Sequence, residues 1–299
     1  MKTYGKKLRF GDIMFNSLNY LFFGIFALLC FYPFYYILIY SLSSTQAASS
    51  GVYFFPKQIT LYNYANLLRN PGILNAAFIS LSRTVIGTAG SVFCTTIFAY
   101  FVTKKELPAR KFIYRFVVMT MYINAGLIPS YILMKFLGMI NTFWIYIIPG
   151  LVGAFNLILI KTYIEQLPAS LEESAMIDGA GYFRIFIRMI FPLSMPIIAT
   201  VTVFVAVGQW NTFTDNLIYV SNEKLRTLQL MLYVVLNRTT EAMQNVRTDQ
   251  VSRNIFLVQP TPTTIRMTIT MIATLPIIFV YPFLQKYFVK GIMLGAIKG

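Results

Sequence analysis

The chain has 299 residues, of which 57% are apolar or aromatic and only 12% charged, with no histidine and a formal net charge of +15. A soluble domain carries about 25% charged residues, so this composition excludes an ordinary water-soluble enzyme and makes lipid the solvent to reason with. Without histidine there is no Ser-His-Asp triad and no Cys-His dyad, and Cys30 and Cys94 each lie inside an apolar block, which leaves no disulfide framework and no CxxC metal site.

The 25 Lys and Arg flank apolar blocks instead of striping a polar domain, which reads as retention of helix ends on one side of a membrane and not as nucleic-acid binding. No GxxxxGK(S/T) sequence occurs, so any work done on ATP falls to a partner. Residues 1–16, with Lys2, Lys6, Lys7 and Arg9, precede an apolar run too long for a signal-peptide core, which is therefore read as a retained first span.

Charge-poor runs predict an all-α membrane protein with six transmembrane helices: Ser17–Tyr40, Ser82–Thr103, Phe112–Met134, Thr142–Tyr163, Pro192–Val207 with some extension, and Ile265–Val289. About 20 apolar residues suffice to cross about 30 Å of hydrocarbon. The two most basic short stretches, the N-terminus and residues 104–111, fall on the same side, and the positive-inside rule makes that side and both termini cytoplasmic. The organisation read from this is a cytoplasmic N-terminus 1–16, a transmembrane domain 17–290 with a cytoplasmic segment 165–191 and a long outer segment 208–264, and a cytoplasmic tail 291–299. Pro33, Pro129, Pro149 and Pro276 fall inside spans, where neighbouring helices can satisfy the freed carbonyls. Gly87 with Ser91 and Gly150 with Ala154 have spacings that let helices approach closely.

Residues 165–196 are too polar to span and too patterned for a plain loop. Ser170 and Glu173 have capping-box spacing, which predicts a helix start at Ser170, and Gly179 with Gly181 supplies a turn. Helical spacing resumes over Tyr182–Ile190, with Phe183, Phe186, Ile187 and Ile190 on one side and Arg184 and Arg188 on another. The result is either an ordinary connection with a cap or a low-relief helix and turn suited to a groove on another protein.

Near the outer ends of the spans, Tyr122, Asn124, Tyr131, Gln209, Trp210, Asn211 and Asp215 combine aromatic faces with polar groups, which makes them candidates to line a path for a solute. Gln209-Trp210-Asn211 reads equally as an interfacial belt. Arg83, at the mouth of the second span, is expected to snorkel to the surface; meeting the carboxylate of a solute is its other reading.

Glu173-Ser174-Ala175, Asp178-Gly179-Ala180 and Ile190-Phe191-Pro192 resemble the EAA signature of bacterial ABC-importer permeases, with Ser174 in place of the first Ala and Phe191 in place of Leu. The order of spans, the long outer segment and the ending Gly295-Ala296-Ile297-Lys298-Gly299 resemble the carbohydrate-uptake permeases related to the inner subunit of the maltose importer. Phe155-Asn156-Leu157, Glu173-Ser174-Ala175 and the Gly-Ala-Ile-Lys-Gly ending are most similar to members handling oligosaccharides of acidic polysaccharides such as alginate or rhamnogalacturonan.

The resemblance implies a type I ABC importer permease fold and a translocation subunit that is not itself an enzyme. It implies a second, non-identical permease, two cytoplasmic ATPase subunits that bind ATP and magnesium, an extracellular solute-binding protein and an oligosaccharide substrate. This chain would bind no cofactor, no metal and no nucleic acid. Glu173, Ser174, Ala175, Asp178, Gly179 and Ala180 would form the coupling helix, with Glu173 pairing to a basic group of the ATPase and Ala175 facing its surface. Residues Gly295–Gly299 would reach between the ATPase subunits, or form a plain basic end. The 208–264 segment would reach into the solute-binding protein, or only cap the bundle. A secondary transporter or channel is the alternative; it calls for ionisable residues in mid-span, and the sequence places none there. A membrane-embedded enzyme lacks the acid-base pair it would need.

Overall fold

The computed structural model describes residues 10–245, 261 and 263–279, with side chains described to residue 237 in the first stretch. The described residues are almost wholly helical, the one extended feature being an isolated antiparallel bridge between Ser43 and Ile59. The chain divides into two units, Met1–Leu67 with Arg238–Ile272 and Leu68–Asn237 with Ala273–Gly299.

In the first unit α1 (Phe10–Ser41) is apolar all round and remains one helix through Pro33. Its flank is exposed, Tyr20 at 79% and Phe15 at 69%, as a lipid-facing span requires. Only its end is packed, where Ile39 and Tyr40 meet Ala48 of α2 (Thr45–Ser49) and Val52. The carbonyls left over at that end find side chains: Asn63 of α3 (Tyr62–Leu68) donates to Ser41 O at 2.9 Å and Ser43 O at 3.0 Å.

The second unit is built on α4 (Pro71–Thr103), which starts earlier than the expected second span because Asn70 caps it, accepting from Gly72 N at 2.9 Å, and Pro71 occupies its first turn. At about 1.5 Å per residue it runs about 50 Å, longer than the hydrocarbon layer. Val92, Ala99 and Tyr100 of α4 pack with Leu157, Ile160 and Ile164 of α7 (Ala154–Ile164) and with Ile198 and Val201 of α11 (Met195–Asn211) in the main core.

The remaining expected spans are helical but interrupted. The third is two helices, α5 (Arg110–Met119) and α6 (Leu127–Phe136), separated by a turn in which Gly126 has φ +84° and Asn124 Oδ1 accepts from Gly126 N. Pro129 is tolerated because it falls in the first turn of α6. The fourth opens as two 3-10 turns, Phe143–Tyr146 and Ile148–Gly150 around Pro149, and meets α7 at a 46° bend. The cytoplasmic segment of the sequence reading contains α8 (Ala169–Ile177) and α9 (Tyr182–Ile185), then a π-turn, Phe186–Ile190, and α10 (Phe191–Leu193). Pro192 and Pro196 withhold the amides a straight continuation needs, and Tyr182–Leu193 meets α11 at 80°.

After α11 come α12 (Thr214–Tyr219) and α13 (Leu228–Asn245), so part of the long outer segment is helical. The described part of the sixth span is a helix over Thr263–Phe279, numbered α14. Among the described residues, α1, α4 and the two bent pairs are long and apolar enough to cross a bilayer.

Candidate functional site

Two places concentrate polar side chains. The first surrounds Arg83. This residue does not snorkel: it turns inward from α4 and is 2% exposed. Its Nη2 donates to Asp215 Oδ2 at 2.6 Å and its Nη1 to Asp215 Oδ1 at 3.1 Å, a two-pronged pair, while Nη1 also reaches Thr212 O and Nε reaches Gln209 Oε1, each at 3.1 Å. The guanidinium carbon lies 4.6 Å from the centre of the Tyr146 ring. Burial explains the arrangement, because an arginine within a span is costly unless its charge and its donors are matched. Arg83 thus qualifies the sequence reading that the spans lack buried ionisable groups, while its pairing with Asp215 keeps the net charge of the site at zero.

Arg83, Asp215, Gln209, Tyr146, Asn156 and Tyr219 are among the residues lining a cavity of about 430 Å³. Gln209 bridges the site by donating to Tyr146 O at 3.3 Å. Gly87, one helical turn beyond Arg83, makes room for it: a Cβ there would fall 2.9 Å from Gln209 Cδ, and one on Gly150 would fall 3.7 Å from Gln209 Nε2. Gly87, read from spacing as a helix-packing position, accommodates a polar side chain, whereas Gly150 leaves ordinary contact distance to it. Asp215 is held from behind by Asn216 N, which donates to its Oδ1 at 2.7 Å. Tyr131 stacks on the lining Tyr219, with ring centres 6.0 Å apart and 14° between planes.

Of the seven path candidates, Gln209 and Asp215 line the cavity and Tyr131 backs it. Trp210 is buried and donates through Nε1 to Ala273 O at 2.9 Å, so its ring serves packing. Asn211 accepts from Gln229 Nε2, Tyr122 is 84% exposed, and Asn124 holds the α5–α6 turn; none of the three lines the cavity. Sequence reading missed Tyr146 and Asn156 and mistook the direction of Arg83. One signal was available: Arg83, Gly87, Ser91 and Thr95 recur every four residues, a polar and small stripe along one face of α4.

The second place is α8 and the turn after it. The expected capping box does not form: Pro168 is the N-cap and makes no side-chain cap, and Ser170 sits inside the helix, its carbonyl accepting from Ser174 Oγ at 2.7 Å. Proline supplies the extended entry, so no hydroxyl cap is needed to start the helix. The far end is specified closely. Gly179 has φ +77°, its N–H donates to Met176 O at 3.0 Å, and Ala180 N donates to Ala175 O at 2.9 Å, the paired bonds of a Schellman ending in which glycine takes the left-handed position.

Glu173, Ser174, Asp178 and Gly179 are exposed, as is Ile177 at 85%. Ala175, expected to face outward, packs with Ala180 against the chain's own core instead, as a Schellman ending favours through apolar contact of the residues it bonds. Glu172 pairs with Lys104, just past the end of α4, and Lys104 Nζ lies 4.0 Å from the Tyr100 ring centre. Along Tyr182–Ile190 the buried face is Ile185, Phe186 and Ile190, while Phe183 and Ile187 are exposed. The π-turn widens the helix at Phe186–Ile190, so the simple 3.6-residue spacing groups the exposed Ile187 with the buried Phe186 and Ile190; Phe183, in α9 before the widening, is exposed as well. The tail Gly295–Gly299 lies outside the described residues.

The family model described as "Binding-protein-dependent transport system inner membrane component" matches residues 91–294, most of the chain and the whole of the α8 segment. The chain belongs to this family. As an inner membrane component of such a system, the permease works with a solute-binding protein and an ATPase. It is 37% identical over 287 residues to Protein LplC of Bacillus subtilis (strain 168), covering 96% of this chain and 95% of that protein. It is 34% identical over 287 residues to the polygalacturonan/rhamnogalacturonan transport system permease protein YtcP of the same organism, covering 96% and 99%. Among solved structures, a chain of a bacterial ABC transporter involved in the import of the acidic polysaccharide alginate superposes with a TM-score of 0.81 at 28% identity, over 96% of this permease and 100% of that chain. The permease therefore has the type I importer fold that the EAA resemblance implied.

Proposed function

We propose that this permease is one of two permease subunits of an ATP-driven importer of polysaccharide-derived oligosaccharides. A second, non-identical permease completes the path, two cytoplasmic ATPase subunits bind ATP and magnesium, and an external solute-binding protein delivers the sugar. The observation that carries this reading is the α4 helix. At one end Lys104 holds Glu172 of the α8 segment, and toward the other Arg83 holds the cavity, so movement imposed on the α8 turn has a continuous helix along which to reach the path. Glu173, Ser174, Asp178 and Gly179 form the face that seats on an ATPase subunit, while Ala175 and Ala180 root that face in the bundle. Both termini and the α8 segment are cytoplasmic, the cavity lies toward the outside, the long segment after α11 meets the solute-binding protein, and Gly295–Gly299 contacts the ATPase subunits. The saccharide class is supported by the polar and aromatic lining of the cavity and by the permease's likeness to the polygalacturonan/rhamnogalacturonan permease YtcP and to the alginate transporter.

The test is reconstitution. Purified from its own membrane, the permease is expected to bring with it a second permease and an ATPase, and the complex in liposomes to accumulate labelled oligosaccharide only with ATP and the loaded solute-binding protein. Uptake by the single chain without ATPase subunits would overturn the reading in favour of a secondary transporter.

A further inference from the structure

Arg83 and Asp215 are the two charged side chains among the described residues lining the cavity. Four donor contacts leave Arg83, two of them to Asp215 in the fork geometry that a guanidinium offers any carboxylate, including that of a uronate. The partners are not equally placed: the Arg83 side chain is 3% exposed and that of Asp215 20%. A carboxylate that seeks the guanidinium therefore finds two of its donor contacts already taken by the more accessible Asp215. A hydroxyl finds Gln209, Asn156 and Ser91, and an apolar sugar face finds the Tyr219 ring backed by Tyr131.

We propose that Asp215 sets the charge selectivity of this cavity, occupying the guanidinium of Arg83 that a uronate carboxylate would otherwise take and turning an anion site into a neutral one. The proposal rests on the saccharide-importer reading. It assigns to this cavity the neutral, hydroxylated face of the substrate, and leaves the carboxylates of an acidic oligosaccharide to be met elsewhere along the path. Unfavourable like-charge placement against the wrong ligand is a general route to discrimination.

The experiment uses the intact importer in liposomes and compares the KM for uptake of a diuronate with that for the neutral disaccharide of the same linkage. In Asp215→Asn, Arg83 keeps Gln209 Oε1, Thr212 O and the Tyr146 ring, and the diuronate-to-neutral KM ratio is expected to fall about tenfold. Arg83→Gln leaves Asp215 without its counter-charge, and the ratio is expected to rise by a similar factor. The double variant restores neutrality, and its ratio is expected to return to within about threefold of the parent. Gln209→Glu keeps an acceptor for Arg83 Nε and gives up the weak donation to Tyr146 O while adding a negative charge with the pair intact; it also is expected to raise the ratio, and it serves if the pair variants do not assemble. Ratios that stay at the parent value while both KM values move together would overturn the proposal, since a purely structural pair damages both sugars alike. Failure of the parent complex to take up either sugar would overturn the saccharide reading itself, and the proposal with it.

Discussion

The cavity and the α8 turn are built from the same scarce supply of charge and use it in opposite ways. At the cavity Arg83 and Asp215 are turned on each other, with Asn216 N and Gln209 holding the pair in place. At the α8 turn, among the described residues, Glu172 is matched by Lys104, whereas Glu173 and Asp178 are left on the exposed face. Of the chain's ten acidic residues, two lie exposed on α8 and its closing turn and another is largely buried against Arg83; on the proposed reading this separates a surface for a partner from a lining passed by a solute. The difference follows from the solvent on each side: buried charge must be matched locally, and exposed charge is free for intermolecular use.

Substitutions sharpen this contrast, beginning with the largest effect. Gly179→Pro removes both the positive φ and the N–H that closes the helix on Met176, and is expected to abolish uptake while the chain remains in the membrane. Uptake assays paired with membrane immunoblots check this. Arg83→Ala strands Asp215, which is only 20% exposed, and is expected to cost about 3 kcal/mol, read as earlier thermal unfolding of the purified complex. Gly87→Ala places a Cβ 2.9 Å from Gln209 Cδ; the flexible side chain can yield, so the expected cost is about 1 kcal/mol with a loss of uptake greater than the loss of stability suggests. Glu172→Gln weakens a pair whose side chains are 12% and 19% exposed, and is expected to cost about 1 kcal/mol, with looser attachment of α8 seen as faster amide exchange over Ala169–Ile177. A large stability loss from Glu172→Gln with none from Arg83→Ala would reverse the comparison.

How much of this was legible in the sequence depends on the range of the interaction. The apolar runs gave the helical regions because burial in lipid is a local, compositional requirement. The α8 turn was legible through Gly179, whose left-handed backbone is dictated within a few residues. Its start was misplaced because Pro168 replaced the hydroxyl cap that Ser170 and Glu173 suggested. The break at 120–126 was not anticipated, since the run stays apolar through it, whereas the bend between Leu193 and Met195 falls within a few residues of the boundary expected at Pro192. The cavity was half legible. Gln209 and Asp215 could be named from their polarity near a span end, but the pairing of Arg83 with residues 126 and 132 positions away, and the turning of Trp210 toward Ala273, depend on which helix faces which. Periodicity within one helix carries no such information.

On the proposed reading, the exposed acidic face of α8 and its closing turn transmits ATPase action to the path. This is tested most directly by ATP hydrolysis of the purified complex in liposomes carrying Glu173→Lys, with the substrate-loaded solute-binding protein supplied outside. The variant permease is expected to insert normally while the loaded binding protein no longer stimulates hydrolysis. Stimulation at the level of the unsubstituted complex would contradict that reading.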